Sequence, residues 1–131
     1  MSDIIKVIKG LKNMRCTGGA SQTDIDNTEI RLGFRLAEEY KEYLAEFGAV
    51  SAYNTELTGI SEAKYLNVVA VTEELRRYND VPKGYYAVED TSVDGIVIWQ
   101  NTEGEIFETS PGSKPRKIAG SLAEYLRGKV K

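Results

Sequence analysis

The segment from residue 35 to residue 48, RLAEEYKEYLAEFG, most strongly constrains how this chain can fold. At about 100° per residue, its apolar side chains form one stripe along a helix and its glutamates fall on the nearly opposite face. The stripe consists of Leu36, Tyr40, Tyr43, Leu44 and Phe47. The four carboxylates are Glu38, Glu39, Glu42 and Glu46. The pattern predicts a helix that buries one face and turns four like charges towards solvent.

Helical patterns also dominate the chain before this segment. Apolar residues at helical spacing predict a first amphipathic helix over residues 2–13, followed by a loop over 18–22. Thr23 and Asp26 resemble a capping box that opens a second helix, which Gly33 ends. The third helix is predicted from Leu36 to Phe47.

After Gly48 the pattern becomes typical of strands, because Val, Ile, Thr and Tyr are frequent. Strands are predicted over residues 50–60, 64–71, 85–90, 94–101 and 105–110. A short helix capped by Thr72 is predicted over 72–79, and Ser121 with Glu124 forms a capping box for a final helix. The predicted fold class is α+β: N-terminal helices, a mostly antiparallel sheet of about five to six strands, and a closing C-terminal helix packed on it.

Length and composition indicate a single domain over residues 1–131, with the first 22 residues forming a helix and a loop. No apolar run approaches the roughly 20 residues that span a bilayer, and lysines interrupt any signal-peptide core near the N-terminus. Cys16 is the one cysteine, which excludes an internal disulfide and fits a reducing compartment. We therefore expect a cytoplasmic protein without membrane contact, either a monomer or a weak homodimer.

The sequence offers little for catalysis. It contains no histidine, which excludes Ser-His and Cys-His nucleophiles and removes the commonest transition-metal ligand. It also lacks a dinucleotide-binding glycine motif and a phosphate-binding loop. We expect no metal, no cofactor and no enzyme activity. A hydrolase that used Asp90 and Asp94, or the glutamates of the third helix, would need a cleft carboxylate with a raised pKa.

Charge is distributed unevenly along the chain. Residues 21–62 contain nine acidic and three basic side chains, whereas residues 111–131 contain six basic side chains and one acidic one. The basic segment lacks interleaved aromatic residues, and lysines in a last helical turn suit the helix dipole, so nucleic-acid binding is disfavoured. The acidic helix face has two interpretations: solvent cover for a core helix, or a surface that steers a cationic partner.

The order and spacing of several short motifs resemble those of the SUKH superfamily, over about residues 23–127. This superfamily includes the Smi/Knr-type proteins linked to fungal cell-wall regulation and many bacterial immunity proteins. The matching motifs are Ile25-x3-Glu29-x2-Leu32-Gly33, Leu36-x3-Tyr40-x2-Tyr43-Leu44-x2-Phe47-Gly48, Glu56-Leu57-x-Gly59-Ile60, Val71-Thr72-Glu73-Glu74, Asp94-Gly95 to Trp99, and Ser121-Leu122-Ala123-Glu124-Tyr125-Leu126. One departure is Ala37, where the family usually has proline.

The resemblance implies a non-catalytic binding domain, most simply an immunity protein or antitoxin that neutralises a cognate polymorphic toxin, often a nuclease. The alternative is a regulatory scaffold or adaptor that binds an endogenous cytosolic protein. Toxin-contacting residues vary in such families, so the resemblance transfers no site residue. The residues that we predict to contact the partner are Glu38, Glu39, Glu42, Glu46, Tyr53, Glu56, Tyr85 and Asp94.

Overall fold

A computed structural model describes residues 3–129 of the chain. The helices in this range are α1 (Asp3–Lys9), α2 (Gln22–Leu32), α3 (Glu38–Phe47), α4 (Val68–Leu75) and α5 (Leu122–Lys129). The strands are β1 (Arg15–Cys16), β2 (Val50–Ala52), β3 (Thr55–Leu57), β4 (Tyr86–Asp90), β5 (Val97–Gln100), β6 (Ile106–Thr109) and β7 (Arg116–Ala119). Ser2, where we predicted the first helix to begin, and Lys131 of the basic segment lie outside the described residues.

The predicted α+β class and the antiparallel pairing of the strands are confirmed, but the strands belong to two sheets rather than to one sheet of about five to six strands. The described strands form two antiparallel sheets, one with the order β1-β2-β3 and one with the order β4-β5-β6-β7. The predicted strand over residues 50–60 is a hairpin instead, because the chain reverses at Tyr53 and Asn54, and Asn54 takes a positive φ of 67°. The short β1 and the basic β7 were not predicted as strands.

The four-stranded sheet separates two apolar cores. On one face, α3 and α5 pack against the sheet and α1 packs on these two helices, and Tyr40, Tyr43 and Tyr86 are fully buried there. On the other face, α4 covers a smaller core around Trp99. The indole N–H of Trp99, which is fully buried on β5, donates to the Thr109 hydroxyl at 2.9 Å.

The predicted strand over Lys64–Val71 is also wrong. This segment forms a short 3₁₀ helix (Lys64–Leu66) and the first half of α4. Its β-branched valines favour a strand locally, but the Asn67 side chain accepts hydrogen bonds from the N–H groups of Val69 and Ala70 and so begins a helix. Thr72 is not the helix cap: it is buried within α4, and its hydroxyl accepts from the Ala87 N–H at 3.0 Å.

The helix ends show which capping signals were correct. Ser21 rather than Thr23 caps α2, since its hydroxyl accepts from the Asp24 N–H at 3.1 Å. The predicted cap of α5 is present, since the Ser121 hydroxyl accepts from the Glu124 N–H at 3.1 Å, but the Glu124 carboxylate accepts from the Gly120 N–H rather than from that of Ser121. Within residues 3–129, every helix is too short or too polar to cross a lipid bilayer.

Candidate protein-binding surface

Three of the four glutamates of α3 form an exposed acidic face, which we define as Glu38, Glu42 and Glu46. The Glu38 carboxylate lies 3.2 Å from the Lys41 ammonium, although its side chain is still 85% exposed. Lys41 also lies 3.9 Å from Glu29. Between residues 3 and 129, no lysine or arginine nitrogen lies within 4.0 Å of Glu42 or Glu46. Two of the three charges therefore lack a cationic neighbour inside the described chain.

The prediction that all four glutamates point to solvent is wrong for Glu39. Its carboxylate accepts hydrogen bonds from the backbone N–H groups of Leu122 at 2.7 Å and Ala123 at 3.0 Å. The Gln100 side chain donates a third, at 2.9 Å. The N–H groups of Leu122 and Ala123 belong to the first turn of α5. N–H groups in a first turn have no acceptor within their own helix, and the helix dipole favours negative charge beside them. Glu39 therefore fastens α5 to α3.

Tyr53 and Glu56 both belong to the β2–β3 hairpin. Tyr53 lies at the turn and is 61% exposed, and the Lys12 ammonium lies 5.1 Å from its ring centroid. Glu56 is exposed on β3, and its backbone N–H donates to the buried Glu89 carboxylate at 3.2 Å. The hairpin thus presents one aromatic ring and one carboxylate to solvent.

Tyr85 lies on the opposite side of the four-stranded sheet from α3, in the core that α4 covers. It is half-buried, with its ring centroid 4.7 Å from that of Phe107. Burial, and the nearby Glu105 carboxylate, raise the pKa of Tyr85. Asp94 is exposed in the β4–β5 loop with a φ of 53°. The predicted residues therefore do not form one continuous surface, because α3 and Tyr85 belong to different faces of the sheet.

Sequence reasoning missed one buried carboxylate. Glu89 is 3% exposed. Its carboxylate accepts from the Tyr125 hydroxyl at 2.6 Å and from the Lys129 ammonium at 2.9 and 3.1 Å. Burial is the main cause of the raised pKa of Tyr125, and the Glu89 carboxylate adds to it. The register shift between Ala87 and Glu89 turns this carboxylate towards α5, and a pattern of alternating residues could not show this.

The hydrolase alternative has no visible support in the geometry of its aspartates. Asp90 is exposed, and its carboxylate accepts from the Ser92 N–H at 3.0 Å in a local turn. Residues 3–129 contain no group of three or more His, Cys, Asp or Glu side chains arranged to hold a metal ion.

Comparison with protein families gives a match that covers the whole chain. The family described as SUKH_5: SMI1-KNR4 cell-wall matches residues 1–131, which is longer than the segment of about residues 23–127 that carried the sequence resemblance. Comparison with curated proteins gives no match. The chain therefore belongs to the SUKH superfamily, as a member of its SMI1-KNR4 family.

Proposed function

We propose that this chain is a non-catalytic, cytoplasmic protein-binding domain that acts as an immunity protein or antitoxin. Its partner is a cognate toxin domain with a cationic surface, such as a nuclease. The observation that carries this proposal is the exposed acidic face of α3, on which Glu42 and Glu46 have no cationic neighbour between residues 3 and 129. Family membership supports the proposal, because many bacterial members of the superfamily are immunity proteins.

The acidic face is held on a rigid support. The opposite side of α3 is fully buried, and the hydroxyls of Tyr40 and Tyr43 donate to the Thr58 carbonyl oxygen at 3.1 and 2.7 Å. A helix fixed in this way presents its carboxylates to a partner without a further cost for ordering its backbone. The like charges at i,i+4 cost roughly 0.2–0.5 kcal/mol per pair, and a cationic partner would relieve this repulsion.

Charge complementarity explains why a nuclease is a suitable partner. A nuclease carries positive charge where the phosphates of its substrate bind. An acidic face competes for that surface and accelerates association at low ionic strength. In this proposal Tyr53 and Glu56 of the hairpin add secondary contacts, whereas Tyr85 and Asp94 remain weaker predictions. We leave Glu39 out of the interface, because its carboxylate already binds α5.

The first test is calorimetric binding to the C-terminal domain of a toxin encoded beside this gene, at low and at physiological salt. We expect a dissociation constant near the nanomolar range that rises with salt, as for an interface with complementary charge. Co-expression should also protect cells from that toxin. Absence of binding at both salt concentrations would overturn the immunity role.

The family description, which refers to the cell wall, favours a second candidate function. In this alternative the chain is a regulatory scaffold or adaptor that binds an endogenous cytosolic protein. The genomic setting separates the two: a large secreted protein encoded immediately upstream favours immunity, and an isolated gene favours the adaptor.

A further inference from the structure

A groove lies on the α4 side of the molecule, away from the acidic face of α3. It has a volume of about 420 Å³ and lies between the 3₁₀ helix and α4. The apolar part of its lining comes from Ala70, Val71 and Leu75, which share one side of α4. Tyr65 borders the groove and is 68% exposed. An open apolar groove beside an exposed aromatic ring is typical of a recognition site.

Asp90 gives one end of this groove a negative charge. It borders the groove and also a neighbouring depression of about 350 Å³ that contains Glu56. Over residues 3–129, neither of these two carboxylates has a lysine or arginine nitrogen within 4.0 Å. Glu89 borders the depression too, but Lys129 neutralises it. The apolar groove therefore continues into a region with uncompensated negative charge.

The other charges at the groove do not cancel that of Asp90. Glu74 lies at the rim, 3.7 Å from Arg77. Lys64 also borders the groove, but its ammonium lies within 4.0 Å of no carboxylate in the described chain. Asp90 is thus open to a cation from outside.

We propose that the groove binds a protein segment in which an arginine follows an apolar side chain. The apolar side chain would pack on Val71 and Leu75, and the guanidinium would stack on the Tyr65 ring and reach the Asp90 carboxylate. Arginine suits this combination better than lysine, because its planar group both stacks on an aromatic ring and forms a forked pair with a carboxylate. This second contact goes beyond the proposed function and requires neither a toxin nor the α3 face.

The test uses two capped dipeptides as probes in an NMR titration of the full chain: acetyl-Leu-Arg-amide, and acetyl-Leu-citrulline-amide as its uncharged counterpart. We expect the arginine peptide, at up to about 10 mM, to shift the backbone amides of Tyr65, Val71, Leu75 and Asp90. The citrulline peptide should bind about tenfold more weakly.

Two variants and their matched controls complete the experiment. Asp90→Asn keeps an acceptor for the Ser92 N–H and removes the charge, and Tyr65→Ala removes the ring; each should weaken binding of the arginine peptide several-fold. Asp80→Asn and Tyr78→Ala alter equally exposed positions that do not border the groove, and they should leave binding unchanged. Four outcomes would each overturn the proposal: equal binding of the two peptides, shifts spread over every acidic surface, no shifts at all, or a titration that Asp90→Asn leaves unaltered. The peptide titration contains no toxin, so a negative titration does not overturn the proposed function. A failure to bind toxin likewise does not overturn the result of the titration.

Discussion

Glu39 and Glu42 are one helical turn apart on α3, yet their surroundings differ completely. The carboxylate of Glu39 accepts two backbone hydrogen bonds from α5 and one from Gln100. Glu42 is exposed, with no cation within 4.0 Å in residues 3–129. The contrast shows that neighbouring acidic side chains on one helix can have different roles. A carboxylate that another element contacts stabilises the fold, and one that remains exposed is available to a partner.

The same contrast recurs on β4. Glu89 is buried and accepts hydrogen bonds from Tyr125 and Lys129, whereas the next residue, Asp90, is exposed. In both places the hydrogen-bonded carboxylate, Glu39 or Glu89, connects α5 to the rest of the fold. The exposed carboxylate, Glu42 or Asp90, belongs to a surface for which we propose a partner.

The largest effect that we expect concerns the buried tyrosine hydroxyls, and it appears at alkaline pH. Burial is the main cause that raises the pKa values of Tyr40, Tyr43, Tyr86 and Tyr125 above those in the unfolded chain. Each therefore keeps its proton in the folded state at pH values where the unfolded state has lost it. The stabilisation is complete below a pH of about 10 and is lost as the pH rises, by about 1.4 kcal/mol per pH unit for each tyrosine.

Urea denaturation between pH 8 and pH 11.5 measures this loss. Tyr125→Phe removes one of these hydroxyls, so above pH 10 its free energy of unfolding should fall by about 1.4 kcal/mol less per pH unit than that of the parent. A free energy of unfolding that stays constant above pH 10 would contradict the burial of these hydroxyls.

The next largest effect separates the two glutamates directly. Glu39→Ala leaves the first N–H groups of α5 and one N–H of the Gln100 side chain without their acceptor. We expect the free energy of unfolding to fall by about 2–3 kcal/mol, from the loss of a helix cap and of buried hydrogen bonds. Urea denaturation at pH 7 provides the measurement, with Glu42→Ala as the matched control, which should stay within about 0.5 kcal/mol of the parent. Equal losses in the two variants would remove the distinction.

The smallest effect concerns only the exposed glutamates of α3. Replacing Glu42 with glutamine removes one member of both i,i+4 like-charge pairs, with Glu38 and with Glu46. We expect the melting temperature at low salt to stay unchanged or to rise slightly, since each pair costs roughly 0.2–0.5 kcal/mol. Calorimetry in low and in high salt checks this, because screening should abolish any gain. A marked loss of stability would mean that Glu42 supports the fold.

Much of the fold was predictable where local pattern and tertiary environment agree. The apolar stripe of α3, the strand that contains Trp99 and the helix cap at Ser121 all appear in the structure. Prediction failed where they disagree. The valines of α4 favour a strand, but the Asn67 cap and burial against both cores produce a helix. The edge strand β7 consists of two charged residues followed by Ile118 and Ala119, of which only Ala119 is buried, so its sequence carries no apolar alternation.

The candidate site was only partly predictable for a related reason. Helical periodicity alone placed Glu38, Glu42 and Glu46 at the surface. The role of Glu39 depends on α5, which begins more than 80 residues later in the chain, as the separation in its hydrogen bond with Leu122 shows. The groove at Asp90 likewise combines the 3₁₀ helix, α4 and the end of β4. Contacts between distant segments of this kind leave no periodic signal in one sequence.

The measurement that most directly tests the central proposal is the association rate with the toxin domain, at two ionic strengths, for Glu42→Lys/Glu46→Lys. The matched control is Glu73→Lys/Glu103→Lys, which changes the net charge equally at exposed positions outside α3. We predict that the α3 variant associates about tenfold more slowly than the control at low salt, and that the difference shrinks at high salt. Equal association rates for the two folded variants would contradict a partner-steering role and leave the acidic face as solvent cover.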